Sequence, residues 1–117
     1  MDPRLEKALE FANYNLSLER ERNQAREDFI TKNVIYKNKG TFSVTVDLIS
    51  FCKLLVDTGN IEDIVLLDDN KDPILIENLP DFYKELLQKY FYHANEYYNT
   101  YSTLSKKRSV KDIIFDE

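Results

Sequence analysis

The first quarter of the chain has apolar residues at intervals of three and four positions. These residues are Leu5, Leu9, Ala12 and Leu16. The spacing places them on one face of a helix, and Pro3 suits the first helical turn, so the pattern predicts a helix over residues 3–30. Residues 19–28 are strongly charged. A helix of that composition either lies in solvent or makes a narrow contact with a partner helix.

An alternating pattern follows the first helix and predicts a β-hairpin. Residues 34–36 are apolar or aromatic, and residues 41–46 alternate between polar and apolar side chains. The polar turn between them ends in Gly40, which we expect to supply the positive φ of a tight turn. The inward positions of the second strand are expected to be Phe42, Val44 and Val46.

A short helix is predicted after this hairpin, from Asp47 to about Asp57. Thr45 or Asp47 can cap its N-terminus, and Gly59 is a typical stop signal. Its inward residues are expected to be Leu48, Phe51, Cys52 and Leu55.

Two apolar runs, 64–67 and 74–76, flank a polar turn and predict a second hairpin. The last helix is predicted to open at Asn78 or Leu79 and to run to about Leu104. Its inward face is expected to consist of Phe82, Leu86, Tyr90, His93, Tyr97, Tyr101 and Leu104.

These elements together predict an α+β fold. It consists of a long N-terminal helix, two β-hairpins separated by a short helix, a long aromatic-rich C-terminal helix and a short tail. The 117 residues match the size of one domain, and no linker divides them. We therefore predict a single domain over residues 1–117, with residues 105–117 as an extended tail.

Charge and composition exclude several classes of protein. The formal net charge is −5, which argues against a surface broadly covered by nucleic acid, because phosphate binding needs clustered cations. Cys52 is the only cysteine, so neither an internal disulfide nor a cysteine zinc cluster can form. No apolar run approaches the ~20 residues that span a membrane, and the N-terminus has no apolar signal stretch. We expect no membrane association and a cytoplasmic location.

The sequence offers little material for catalysis or metal binding. Residues 68–72 match the first ligand positions of a calcium loop, but Pro73 and Leu79 stand where that loop needs glycine and glutamate. His93 is the only histidine and is expected to pack on the last helix. An enzymatic alternative would combine His93 with carboxylates from elsewhere in the chain. We predict that the protein is not an enzyme and binds no metal or cofactor.

Three features exceed what a folded domain needs. The long, charged first helix could project as one strand of a coiled pair, although no clean heptad repeats across three turns. Eight residues from Phe82 to Tyr101 are Phe or Tyr, too many for one helix face, so some are expected at the surface or in an interface unless the first helix buries them. The tail joins a basic cluster to an apolar and acidic end, which is typical of a docking peptide, although chain ends also fray. Its basic cluster, residues 106–111, is expected to make weak, salt-sensitive contact with nucleic acid. The residues expected to bind a partner are Tyr92, Tyr97, Tyr98, Tyr101, Lys106, Lys107, Arg108, Lys111, Ile113, Ile114 and Phe115.

Three stretches, residues 5–13, 48–51 and 96–110, resemble uncharacterised small proteins of T4-like tailed bacteriophages. The resemblance implies a virion-assembly or phage accessory protein in the host cytoplasm or the virion, and it transfers no functional residue.

The sequence therefore predicts a non-enzymatic interaction or assembly protein, which on this resemblance is a structural or accessory protein of a bacteriophage. Its partners are expected to be other proteins or further copies of itself. The alternative is an accessory factor of phage DNA replication or transcription that docks on a clamp or polymerase through its C-terminal apolar and acidic tail.

Overall fold

The computed structural model describes the backbone of residues 2–115 and the side chains of residues 2–107. The elements, in chain order, are α1 (Pro3–Lys32), β1 (Val34–Lys37), β2 (Gly40–Ser43), α2 (Val46–Asp57), β3 (Glu62–Leu67), β4 (Pro73–Asn78) and α3 (Leu79–Phe115). The predicted α+β fold is confirmed, and each hairpin forms its own two-stranded antiparallel sheet. The contacts group the chain into two compact units: one is Ile30–Ala94, and the other combines the remainders of α1 and α3.

The unit Ile30–Ala94 is built around one apolar core. In the second hairpin Leu66 lies opposite Ile74 on the inner face, because strand residues alternate between faces. The Phe42 ring meets the Phe82 ring edge-on, with centroids 5.1 Å apart, an arrangement that aromatic pairs favour. The buried core residues are Phe42, Val44, Cys52, Leu66, Ile74, Ile76, Leu79, Phe82 and Leu86.

The turn of the first hairpin differs from the prediction in which residue carries the positive φ. Asn38 has a φ of 49° and Lys39 a φ of 69°, so both central residues have the left-handed backbone of a type I′ turn. Gly40 is needed for a different reason: a Cβ atom there would lie 2.5 Å from Cγ1 of Ile74. The glycine therefore permits close packing of the two hairpins.

The start of α2 changes the predicted alternation of β2. The Thr45 hydroxyl accepts a hydrogen bond from the backbone N–H of Leu48 and caps the helix. The helix therefore begins at Val46, which is 59% exposed instead of pointing inward. Phe51, also predicted to be inward, is 49% exposed, because Cys52 and the half-buried Leu48 and Leu55 form the inner face of α2.

Asp68 ties the turn after β3 to the first hairpin. Its buried carboxylate accepts hydrogen bonds from the backbone N–H groups of Thr41, Asn70 and Asp72, at 3.1, 3.0 and 2.9 Å. These hydrogen bonds, led by the one from Thr41, lower the pKa of Asp68 below its ordinary value of 3.8. Both side-chain oxygens of Asp68, the first residue of the calcium-loop pattern, therefore accept backbone hydrogen bonds.

Further hydrogen bonds join the two hairpins without merging their sheets. The Asp69 carboxylate accepts hydrogen bonds from both the N–H and the hydroxyl of Ser43. At the other end of the hairpins, the side-chain amide of Asn38 donates to the carbonyl oxygen of Leu75 at 2.6 Å. The carboxylates of Asp68 and Asp69 thus accept hydrogen bonds from backbone N–H groups at the edge of β2, which could otherwise pair with a further strand.

The C-terminal helix begins as predicted and ends later. The Asn78 side chain accepts a hydrogen bond from the N–H of Asp81, and Pro80 lies in the first turn. Instead of ending near Leu104, α3 continues to Phe115. No glycine or proline follows Pro80 in the sequence, so no residue interrupts the helix there. Within residues 2–115, no helix carries a stretch apolar enough to cross a membrane.

Candidate protein-interaction site

In the helical unit, α1 and α3 run antiparallel and make three kinds of contact. The rings of Phe29 and Tyr97 lie 5.5 Å apart. The Arg22 guanidinium lies over the Tyr101 ring, 5.1 Å from its centroid, in a cation–π contact. The hydroxyl of Tyr14 donates to the backbone carbonyl of Lys107 at 3.2 Å. Residues late in α1 therefore meet residues early in this part of α3, as antiparallel helices require.

One face of α1 forms this contact, and we call it the α1 seam. Its members recur at intervals of four and three, the spacing that keeps one face of a helix against a partner helix. Leu18 is buried, and the remaining five are half-buried. The α1 seam consists of Phe11, Asn15, Leu18, Arg22, Ala25 and Phe29.

The apolar residues that predicted α1 from the sequence lie on another face and are exposed. We call them the leucine stripe: Leu5, Leu9, Ala12 and Leu16. The three leucines are 52%, 46% and 51% exposed. At 100° per residue the stripe lies about 130° around α1 from the α1 seam. The helix therefore has two apolar faces, of which α3 covers one.

The four tyrosines predicted to bind a partner divide between two environments. Tyr97 contacts Phe29 of α1, and Tyr101 contacts Arg22 of α1, so two of the aromatic side chains make contacts within the helical unit. Tyr98 is 68% exposed and Tyr92 is 66% exposed. Packing by the first helix therefore holds for the half-buried Tyr97. Tyr101 was predicted to point inward but is 42% exposed under Arg22, so it lies at the surface with Tyr92 and Tyr98.

The predicted residues of the tail lie on α3. Lys106 and Lys107 are exposed, and the carbonyl oxygen of Lys107 accepts the hydrogen bond from Tyr14. The side chains of Arg108, Lys111, Ile113, Ile114 and Phe115 lie outside the described residues.

The groups considered for chemistry are in ordinary packing environments. Cys52 is fully buried, and this burial raises the pKa of its thiol from 9.0 to about 11. His93 is half-buried, and its ring meets that of Tyr92 at a centroid distance of 5.1 Å. Among the described residues, no group of three or more His, Cys, Asp or Glu side chains could hold a metal ion.

The second hairpin also has an apolar outer face that the sequence did not single out. Val65 and Leu75 are paired across the two strands, and Leu67 lies on the same face by alternation. Their exposed fractions are 60%, 46% and 59%. This surface belongs to the unit Ile30–Ala94, whereas the leucine stripe belongs to the helical unit.

Comparison with known proteins gives no match: no family model matches the chain, and neither a curated protein nor a solved structure is significantly similar to it. The resemblance to bacteriophage proteins therefore stays a prediction.

The sequence predicted the first helix as one strand of a coiled pair, but it did not single out the leucine stripe as the contacting face. The signal that separates it from the α1 seam is phase. Leu5 and Leu9 continue to Leu16 at coiled-coil spacing, whereas the residues that meet α3 follow a second series starting at Phe11. The leucine stripe and the α1 seam are therefore two separate series on one helix, and the contacts with α3 lie on the seam side.

Proposed function

We propose that this protein is a non-enzymatic interaction or assembly protein that binds a protein partner through the leucine stripe. The observation that carries the proposal is the exposure of three leucines at helical spacing, each near 50%. Buried apolar surface contributes roughly 25 cal/mol per Å² to association. A contiguous exposed apolar face is a common mark of a binding site.

Exposure by itself does not distinguish the leucine stripe from the isolated apolar residues of an ordinary surface. Its periodicity does, because a partner helix can contact Leu5, Leu9 and Leu16 at once. The resemblance to phage proteins supports a role in virion assembly or as a phage accessory protein, located in the host cytoplasm or the virion. That setting is part of the proposal.

Affinity capture with the full chain tests this proposal. The unaltered chain and a Leu9→Asp, Leu16→Asp double variant are each used as bait in extracts of the cells that express the protein. A Leu54→Asp variant is the matched control, because Leu54 is a helix residue of similar exposure, at 58%, outside the stripe. We expect the control to retain the captured proteins and the double variant to lose them. Identical captured proteins for all three baits would overturn the proposal.

A further inference from the structure

Residues 97–111 of α3 contain four basic residues and no acidic residue. All 21 acidic residues of the chain lie outside this stretch, so it is a local positive segment in a protein with a formal net charge of −5. Three of its residues are tyrosines. Cations combined with aromatic rings are typical of surfaces that bind nucleic acid, because lysines contact phosphates and rings stack on bases.

The neighbouring helix does not neutralise this positive segment. The Tyr14 hydroxyl donates to the carbonyl oxygen of Lys107, so residues 103–107 of α3 lie beside residues 14–18 of the antiparallel α1. None of residues 14–18 is charged. The charge of the segment is therefore available to a partner.

Two lysines of the segment, Lys106 and Lys107, have described side chains. Both are exposed, and neither forms an ion pair with another described residue. Glu21 is a carboxylate close to them, since it lines a groove with Lys107. Arg108 and Lys111 follow in the sequence. The described surface thus carries two cations without an ionic partner in the described part of the chain.

Three residues follow one another at intervals of four along α3, and we call them the basic face: Tyr98, Ser102 and Lys106. At 100° per residue, Ser102 and Lys106 each lie about 160° around the helix from the buried Leu104. The basic face therefore points away from the packed side of α3. The Tyr98 ring is 68% exposed, so it is available for stacking.

We propose that the basic face binds single-stranded nucleic acid. The ring of Tyr98 stacks on an unpaired base, and Lys106, together with the flanking Lys107, contacts the phosphates. The basic face lies on α3, whereas the leucine stripe lies on α1, so this inference is independent of the proposed function.

The composition of this surface favours a single strand over other anionic partners. A duplex offers phosphates but keeps its bases stacked on each other, so it leaves the exposed Tyr98 ring unused. An anionic membrane binds helices in which the cations flank an apolar face. The residues beside the basic face, Asn95, Asn99 and Ser105, are instead polar and exposed.

Fluorescence anisotropy with the full chain measures the binding. The probe is a labelled oligothymidylate of about 20 nucleotides, long enough for one binding site, in about 50 mM salt. We expect a dissociation constant on the order of 10 μM and a loss of affinity as the salt concentration rises, because the phosphate contacts release counterions.

A Lys106→Gln, Lys107→Gln double variant tests the phosphate contacts. Its dissociation constant should rise about 10-fold, and the slope of log affinity against log salt should fall by about 0.7 for each lysine lost. A Lys53→Gln, Lys84→Gln double variant is the matched control, because both lysines are exposed helix residues outside the segment. It has the same net charge and should bind nearly as well as the unaltered chain. Circular dichroism checks that both variants keep their helices.

A Tyr98→Ser variant tests the stacking. Its dissociation constant should rise about 5-fold or more, because one base loses its aromatic partner, while the salt slope stays unchanged. Tyr92→Ser is the control, since Tyr92 is exposed to a similar extent, at 66%, and lies outside the segment. A duplex of the same length should bind more weakly than the single strand and should not respond to Tyr98→Ser.

Three results would overturn this inference. The first is a failure of the oligothymidylate to bind at millimolar protein in low salt. The second is equal binding by the unaltered chain, the Lys106→Gln, Lys107→Gln variant and the Tyr98→Ser variant, which would place the contact elsewhere. The third is tighter binding, through the same lysines, of phosphatidylserine vesicles or of polyglutamate, which would assign the surface to a membrane or to an acidic protein.

Discussion

At the scale of single residues, three of the four described non-glycine positions with positive φ lie in the hairpin turns, and the fourth, Asp63, lies in β3. Among the described residues, the positions with positive φ other than glycine are Asn38, Lys39, Asp63 and Lys71. Asn and Asp tolerate this conformation because their short polar side chains make local hydrogen bonds. Lysine has no such compensation. The strain at Lys39 is nevertheless retained, because the type I′ turn fits the twist of the strands.

Replacing Lys39 with glycine should stabilise the protein. The left-handed conformation costs a residue with a side chain roughly 1–2 kcal/mol, and glycine removes this cost. Glycine also makes the unfolded chain more flexible, which offsets about 0.5–1 kcal/mol of the gain. We expect a net gain of about 0.5–1 kcal/mol in the free energy of unfolding. Urea denaturation followed by circular dichroism measures it.

The neighbouring glycine is the control for this prediction. A Gly40→Ala variant should lose about 1–3 kcal/mol, because its methyl group overlaps the Ile74 side chain. If Lys39→Gly destabilised the protein or Gly40→Ala were neutral, the turn would differ from the one described.

Asp68 should make stability depend on pH in the acidic range. Because its pKa is lowered in the folded protein, its contribution is fully present above 3.8, the ordinary value for the unfolded chain. The contribution is lost as the pH falls through the lower folded value. An Asp68→Asn variant should have a lower urea midpoint at pH 7, since its amide has one acceptor oxygen where the carboxylate uses two, so either the Thr41 N–H or those of Asn70 and Asp72 lose their acceptor. The difference from the unaltered chain should shrink below about pH 4.

Urea midpoints measured from pH 7 to the acid limit test this expectation. The exposed Asp72 provides the matched variant, Asp72→Asn, which leaves the Asp68 carboxylate in place. A constant difference between Asp68→Asn and the unaltered chain across the acidic range would contradict the proposed role of the carboxylate.

At the scale of elements, periodicity predicted the helices and strands, because α-helices and β-strands repeat at different intervals. It could not decide which face of α1 meets α3. The leucine stripe has the stronger apolar pattern, whereas the α1 seam contains Asn15 and Arg22. The seam is selected by its aromatic partners on α3, Tyr97 and Tyr101, through stacking and cation–π contacts that a hydropathy pattern does not reveal.

Asn15 is the uncharged polar member of the α1 seam, and it should cost stability. Its Oδ1 atom is buried and has no hydrogen-bond partner among the described residues. An unsatisfied buried polar atom costs about 1–3 kcal/mol. We therefore expect Asn15→Leu to raise the free energy of unfolding by about 1 kcal/mol or more.

Urea denaturation measures this change, with Ser17→Leu as the control, because Ser17 is an exposed residue of the same helix outside the α1 seam. The control should leave the free energy of unfolding within about 0.5 kcal/mol of the unaltered chain. A loss of stability in Asn15→Leu would show that the amide makes a contact essential to the helix pair.

At the scale of the whole molecule, net charge and local apolar surface act in opposite directions. The chain carries a formal net charge of −5, so two copies repel each other at neutral pH. The leucine stripe is an exposed apolar surface on this acidic chain, and the exposed Lys106 and Lys107 carry charge of the opposite sign. Salt weakens the repulsion between copies and also weakens any contact between lysines and phosphate.

A salt titration should therefore separate self-association from nucleic-acid binding. If two copies associate through the leucine stripe, the dissociation constant of the pair should fall several-fold between about 50 and 500 mM salt, because screening reduces the repulsion and leaves apolar burial intact. Affinity for single-stranded DNA through the basic cluster should fall over the same range, with a slope set by the number of phosphates contacted. Sedimentation equilibrium measures the self-association, and fluorescence anisotropy measures the DNA binding, in the same buffers. Salt is thus expected to strengthen self-association and to weaken DNA binding. Self-association that weakens with salt would show that ion pairs, and not the leucines, hold the copies together.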